Sequence, residues 1–250
     1  PEVTDEGVRL LLRSRSLARS LTQLDVSRCP KITGMCLSLL SEASLRTLKA
    51  GKCAAIKSLE LRLTGASSLT ELSIPGCNNL KSLEVVAPSL VSLNASGCKS
   101  LETFSCSGVR MERLLMPLCT SLLDYGLRVD CPSITNMNIS QCHSITSAGL
   151  ESFVGSAPKL RSLNINGCTS VGTVLLTRHA ALESLDMAGC RSAATLRSNS
   201  QKLRQLNAAG CTGLKAVELS ASEMDAINLT NTALPPIAVA DFLQLRSHSN

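Results

Sequence analysis

LVSLNASGC at residues 90–98 and LRSLNINGC at 160–168 carry Leu, Leu, Asn and Cys at matched positions. Working outward, the same nine-residue frame returns as SLTQLDVSRC ending at Cys29, LRTLKAGKC at 45–53 and LTELSIPGC at 69–77. It continues as MERLLMPLC at 111–119, ITNMNISQC at 134–142, LESLDMAGC at 182–190 and LRQLNAAGC at 203–211. A tenth copy, MDAINLTNT at 224–232, ends in Thr232. The first position falls at Leu21, Leu45, Leu69, Leu90, Met111, Ile134, Leu160, Leu182, Leu203 and Met224, a spacing of about 23 residues. Within each copy the fourth and sixth residues are apolar and alternate with polar ones, the period of a half-buried strand. Stacking the copies predicts a parallel sheet with strands about 4.8 Å apart and the apolar positions facing inward.

The ninth position closes each frame. Cys29, Cys53, Cys77, Cys98, Cys119, Cys142, Cys168, Cys190 and Cys211 are predicted to line up as a ladder. A thiol is small enough to be buried there and can donate a weak hydrogen bond to a turn carbonyl. The return half of the repeat comes in two sorts. VTDEGV at 3–8, ITGMCL at 32–37 and ITSAGL at 145–150 each place a Thr N-cap before an apolar stretch, predicting helices over 4–18, 33–43 and 146–155. Repeats of 21 residues lack room for a helix. They carry a second alternating run instead, as in NLKSLEVVAPS at 79–89 and GLKAVELSASE at 213–223, which predicts extended segments or short strands.

The combined pattern L-x-x-L-x-L-x-x-C followed by I-T-x-x-G-L resembles the cysteine-containing leucine-rich repeats, met most often in F-box/leucine-rich-repeat proteins. The resemblance covers nearly the whole chain. It implies an α/β leucine-rich-repeat solenoid with a parallel concave sheet of about ten strands. The convex side would mix short helices with extended or short β segments. Residues 1–250 then form a single solenoid of about ten repeats plus a partial N-terminal one. Pro1 in place of an initiator Met predicts a piece of a longer chain. The resemblance also implies a protein–protein interaction module, such as the substrate receptor of a ubiquitin ligase, docking its adaptor through a region outside this chain. A non-catalytic architectural subunit of a large cytoskeletal, axonemal or ribonucleoprotein assembly stands beside that reading. No F-box is visible here, and several repeats lack the I-T-x-x-G-L half.

Composition fits a thin layered core. Of 250 residues, 44% are hydrophobic, 18% charged and only 2% aromatic, which excludes both a ring-filled enzyme core and wholesale disorder. No apolar run approaches the roughly 18 residues of a membrane span, and no secretory leader opens the sequence. The twelve cysteines include no C-x-x-C pair and are joined by three histidines only, so no zinc ligand set is in sight. Evenly spread thiols predict a reduced, intracellular, cytoplasmic or nuclear protein without disulfides. Three sequons, at Asn94, Asn138 and Asn228, fall on the predicted concave strands, where a glycan would block the face.

Enzyme signatures are missing, and no catalysis or cofactor is expected. Gly51-Lys52 lacks a phosphate loop's first Gly, since residue 46 is Arg46, and Cys53 replaces the hydroxyl residue. His143, His179 and His248 lie in separate segments and are expected at the surface. The net charge is +6, with Arg9, Arg13, Arg15 and Arg19 on the first predicted helix and Arg28 and Lys31 just after it. A solvated helix face accounts for them. A nucleic-acid contact there would rest on phosphates alone, because aromatics for base stacking are nearly absent.

Binding is expected on the concave face, where solenoids present an extended surface. Candidate partner contacts are Asp25, Lys49, Glu71, Asn94, Arg113, Leu115, Leu118, Asn138, Asn164, Asp186, Asn207 and Asn228. The fifth-position stripe is mostly neutral and Asn-rich, a pattern that also fits side chains hydrogen-bonded up the stack. The fifth copy stands out, because Arg113, Leu115, Pro117 and Leu118 interrupt a polar stripe at the middle of the array. At the N-terminus, Val3, Val8, Leu11 and Leu12 are expected to need covering by further repeats, a cap or a partner. At the C-terminus, LPPIAVADFLQLRSHSN is expected to turn away as a closing helix.

Overall fold

The computed structural model describes residues 3–37, 44–63 and 68–235. Each of the ten copies contributes one three-residue strand: Gln23–Asp25, Thr47–Lys49, Glu71–Ser73, Ser92–Asn94, Arg113–Leu115, Asn136–Asn138, Ser162–Asn164, Ser184–Asp186, Gln205–Asn207 and Ala226–Asn228. They pair in parallel in sequence order. The register joins like positions, as in Leu93 opposite Leu114 and Asn138 opposite Asn164. The fourth-position side chains therefore stack into one apolar column, with Leu93 and Leu114 fully buried. Leu24 and Ile227, on the two edge strands, have a neighbour on one side only and are half-buried. The fold is a leucine-rich-repeat solenoid.

The ladder of thiols carries a regular hydrogen bond. Each sulfur from Cys53 onward donates to the sixth-position carbonyl of the preceding repeat: Cys53 to Val26 at 3.1 Å, Cys98 to Ile74 at 3.3 Å and Cys211 to Met187 at 3.0 Å. Cys29 has no preceding repeat. It bonds its own Ser27 carbonyl at 3.7 Å and is half-buried. Burial pushes the Cys168 thiol up to about 11 and the Cys119 thiol up to about 12, and it raises Cys142 and Cys190 in the same sense. All twelve cysteines are free thiols.

Just before the ninth position, every copy turns through a left-handed residue. Gly76, Gly97, Gly167, Gly189 and Gly210 fill it in five repeats, with φ near +70°. Arg28, Lys52, Leu118, Gln141 and Asn231 fill it in the others. The turn is set by the solenoid rather than by the local residue, because in the first nine copies the turn N–H bonds the next repeat, as Leu118 N–H does to the Ser140 carbonyl at 2.8 Å. A non-glycine residue there costs about 1 kcal/mol of conformational strain.

The convex side is mixed. Strands Ser58–Arg62, Ser82–Val86, Thr103–Ser107 and Leu127–Asp130 form a second parallel sheet, and Thr173–Leu176, Thr195–Ser198 and Ala216–Leu219 a third. Between these sheets sits the helix Ser147–Gly155, capped by the Thr146 hydroxyl and anchored by Phe153, whose ring stacks on Phe104 at 6.4 Å. The expected helix over 4–18 is two helices, Asp5–Arg13 and Arg15–Ser20, parted by Ser14 in an extended conformation. Of the expected helix over 33–43, residues 33–36 are not helical and Leu37 lies in a 3-10 turn, while the remainder lies outside the described residues. The closing helix expected after Pro235 also falls outside them.

A second cross-repeat link explains the I-T-x-x-G-L signature. The Asp5 carboxylate accepts from the Thr33 N–H at 2.9 Å, the Thr33 hydroxyl at 2.7 Å and the Cys36 N–H at 3.3 Å. Burial works to raise the Asp5 carboxyl, and hydrogen bonds from Cys36 and Thr33 outweigh it, holding the group below its ordinary value. Asp124 repeats the arrangement on the Thr146 N–H and hydroxyl. Ser147 does so on the N–H groups of Gly172 and Thr173, at 3.0 and 2.8 Å. The residue after the Thr position of one repeat thus grips the Thr position of the next. LLDYGL at 122–127 is a member of this series with Leu123 in place of Thr.

Two expectations fail here. His179 is buried, at 3% exposure, not on the surface. Its Nε2–H donates to the Val154 carbonyl at 2.9 Å, the bond that ties the segment after Thr173–Leu176 to the helix before it. Val8 needs no outside cover, because its own repeat buries it to 4%. Val3 and Leu11 stay exposed, and Leu12 is partly buried against the core. His248 lies outside the described residues.

Candidate interaction face

The fifth-position residues point away from the core along the ten-stranded sheet, in the order Asp25, Lys49, Ser73, Asn94, Leu115, Asn138, Asn164, Asp186, Asn207 and Asn228. The stripe does not hydrogen-bond up the stack, as the sequence suggested. Each Asn or Asp oxygen turns back onto its own chain and accepts the N–H two residues on. Asn94 takes Ser96 at 3.0 Å, Asn138 takes Ser140 at 2.9 Å, Asn164 takes Asn166 at 2.9 Å and Asp186 takes Ala188 at 3.1 Å. Asn207, Asn228 and Asp25 do the same with Ala209, Thr230 and Ser27. Hydrogen bonds from Ser27, with Lys49 adjacent, hold the Asp25 carboxyl below its ordinary value.

The exceptions follow the same rule. Ser73 and Leu115 are each followed two residues later by a proline, Pro75 and Pro117, which has no N–H to satisfy. Behind Lys49, the Gly51 N–H finds the Ser27 hydroxyl of the preceding repeat at 3.1 Å. Removing the acceptor should therefore matter only where the donor exists. Asn94→Ala is expected to destabilise by about 1 kcal/mol, and Ser73→Ala by a few tenths at most. Urea denaturation of both variants checks this, and equal losses would refute the turn assignment.

Freed from capping, the fifth copy presents a different surface. Leu115 is half-buried and Arg113 exposed, its guanidinium 3.5 Å from the Ser92 hydroxyl. Leu118 is 45% exposed, but it sits on the left-handed turn beyond the strand, at φ +63°, not on the concave sheet. Glu71 is exposed one repeat before Asn94. Asn138, Asn164, Asp186 and Asn207 keep a half-exposed edge beside their capping role. The left-handed column was within reach of sequence reasoning, since Gly precedes Cys in five copies. Leu118 carries no such mark, because only the stack makes its conformation visible.

Among the described residues no group of His, Cys, Asp and Glu could hold a metal ion, and no helix is long and apolar enough to cross a membrane. A shallow groove of about 210 Å³ lies on the convex sheet between Glu84, Ser105, Tyr125 and Arg128.

No protein-family model matches the chain, and no curated protein does. Among solved structures it is similar to a leucine-rich repeat protein from Bacteroides ovatus, at 14% identity and a TM-score of 0.47 over 84% of this chain and 65% of that one. It is also similar to the functional domain of InlJ from Listeria monocytogenes, described as including a cysteine ladder, at 16% identity and a TM-score of 0.27. That match covers 85% of this chain and 64% of the other. An LRR protein from Leptospira interrogans aligns at 13% identity and a TM-score of 0.18, over 95% of this chain and 97% of that one. The chain thus spans just under two thirds of the length of the first two.

Proposed function

We propose that this chain is a non-catalytic module that holds a protein partner against the concave sheet, in a reducing compartment inside the cell. The observation that carries the reading is the fifth copy: Leu115 beside Arg113 on the strand, with Pro117 and Leu118 on the adjoining turn, interrupts an otherwise polar stripe at the centre of the array. Interface centres favour apolar anchors and Arg over Lys and Asp. The strain held at Leu118 supports it, because an exposed leucine in a left-handed conformation does nothing for folding that glycine would not do better. Substrate recognition for an F-box ubiquitin ligase is the finer form of this proposal. It rests on the likeness of the repeat motif, and binding of a cullin-ligase adaptor by the full-length protein tests it.

The face itself is tested without knowing the partner. A displayed random-peptide library is selected on the chain, and the winning peptides are measured against Leu115→Asp and Leu118→Gly. Leu115→Asp is expected to weaken them by about 2 kcal/mol or more with the melting temperature nearly unchanged. Leu118→Gly should weaken them while the protein becomes no less stable. Peptides that bind both variants as they bind the parent would remove this face from consideration.

A further inference from the structure

The ten turns that leave the concave strands form one continuous rim, and its charge is one-sided. VSRCPK, AGKCAA, IPGCNN, ASGCKS, MPLCTS, ISQCHS, INGCTS, MAGCRS, AAGCTG and LTNTAL contain Arg28, Lys31, Lys52, Lys99, His143 and Arg191, and none of the chain's 19 carboxylates. Carboxylates lie instead on the other faces, where several cations are answered across repeats. On the convex sheets Arg62 pairs with Glu84, Lys81 with Glu102 at 3.6 Å and Arg197 with Glu218 at 2.9 Å. On the opposite rim Arg161 pairs with Glu183 at 3.4 Å and Arg204 with Glu223 at 3.1 Å. Arg28, Lys52, Lys99 and Arg191 are exposed, and none has a carboxylate at ion-pair distance among the described residues. The nearest acidic positions of the motif, Asp25 and Asp186, face the concave side and spend an oxygen capping Ser27 and Ala188.

The stack also spaces the polar side chains of the rim. Lys52, Lys99, His143 and Arg191 belong to the second, fourth, sixth and eighth copies, so they recur about every 10 Å, twice the strand separation. His143 is exposed, and its Nδ1–H donates to the Gly167 carbonyl of the next turn at 2.9 Å, which fixes the ring on the rim. A polyproline-II chain returns to the same face every third residue, about 9.3 Å. The two repeats are commensurate.

We propose that this rim binds an extended acidic segment of a protein partner, with a carboxylate on about every third residue, running along the solenoid beside the concave face. The proposal rests on the reading of the chain as a protein-interaction module. Charge complementarity and spacing point to the occupant. A single nucleic-acid strand is disfavoured because the rim offers no Phe, Tyr or Trp ring for a base to stack on.

The test uses the full chain and a fluorescent (Glu-Pro-Pro)4 peptide, read by anisotropy at low and moderate salt. A dT12 oligonucleotide serves as the second probe. Lys52→Glu, Lys99→Glu and Arg191→Glu combined should weaken the peptide about tenfold or more. The equal net-charge change Lys57→Glu, Arg128→Glu and Lys159→Glu, on exposed sites away from the rim, should change it less than about twofold. Melting curves confirm that both triples are folded, and single reversals replace any triple that is not. Equal losses in the two triples, an oligonucleotide bound more tightly than the peptide, or no peptide binding up to millimolar concentration would each overturn the proposal. If the rim fails while Leu115→Asp still abolishes capture of library peptides, the rim alone falls. If both fail, the interaction reading falls with it.

Discussion

Raising the pH from 7 to 10 under reducing conditions is expected to strip this protein of most of its stability. Cys119, Cys142, Cys168 and Cys190 are fully buried, each donating its proton to a carbonyl of the preceding repeat at 3.1 to 3.3 Å. Burial disfavours the thiolate and pushes all four upward, Cys168 to about 11 and Cys119 to about 12. The unfolded chain releases these protons near pH 8.5. Above that pH the folded state binds more protons than the unfolded one, so stability falls as pH rises and is intact below it. Each thiol forfeits about 2 kcal/mol by pH 10. Four together approach the whole stability of an ordinary domain. Urea titrations at pH 7, 8.5 and 10 measure it, and Cys168→Ala with Cys190→Ala should flatten the dependence by about two protons. A stability that stays level from pH 8.5 to 10 would show that the ladder is not held protonated by burial.

Gly149→Ala is expected to destabilise by about 2–3 kcal/mol, although the position lies in an ordinary surface helix. An added Cβ would stand 2.1 Å from the Asp124 Oδ1. Asp124 would have to leave, and the Thr146 N–H and hydroxyl would lose their acceptor. The cost is that of unmaking two charge-assisted hydrogen bonds. Asp124→Ala should cost nearly as much. In the Asp124→Ala background, Gly149→Ala should cost well under 1 kcal/mol, since the carboxylate it displaces is already gone. Additive losses in this double-mutant cycle would mean that the glycine serves the helix rather than the carboxylate.

The concave strands and the thiol ladder were legible in the sequence because each obeys one position of one motif. A single buried face and a fixed register leave those positions no alternative. The alternating convex runs gave way to strands for the same reason. Asp124 was hidden because its repeat reads LLDYGL, with Leu123 where the signature has Thr, so the Asp lost the context that would mark it. The capping role of the Asn stripe needed a comparison with the residue two places on, where Pro75 and Pro117 excuse their repeats from it. The cationic rim could not be read from any one segment. Lys52 occupies the eighth position and Lys99, His143 and Arg191 the tenth, and only the stacking brings them into one line. His179 stands three residues before Leu182, in the column filled elsewhere by the small residues Ala87, Ala157, Ser200 and Ala221, and its size and polarity hid that buried position.

The proline rule has a bearing on how such a surface changes over generations. An Asn that caps its own turn is held in place by folding, and any substitution there is screened first for stability and only then for recognition. A proline two residues later dissolves that obligation, and the position becomes free to drift through the full range of side chains. Ser73 and Leu115 are already in that condition. Pro75 and Pro117 show that the backbone accepts the ring at this point, so Ala188→Pro should release Asp186 in the same manner. On the binding face proposed above, specificity would then be rewritten one turn at a time, each new proline opening a letter of the surface to selection.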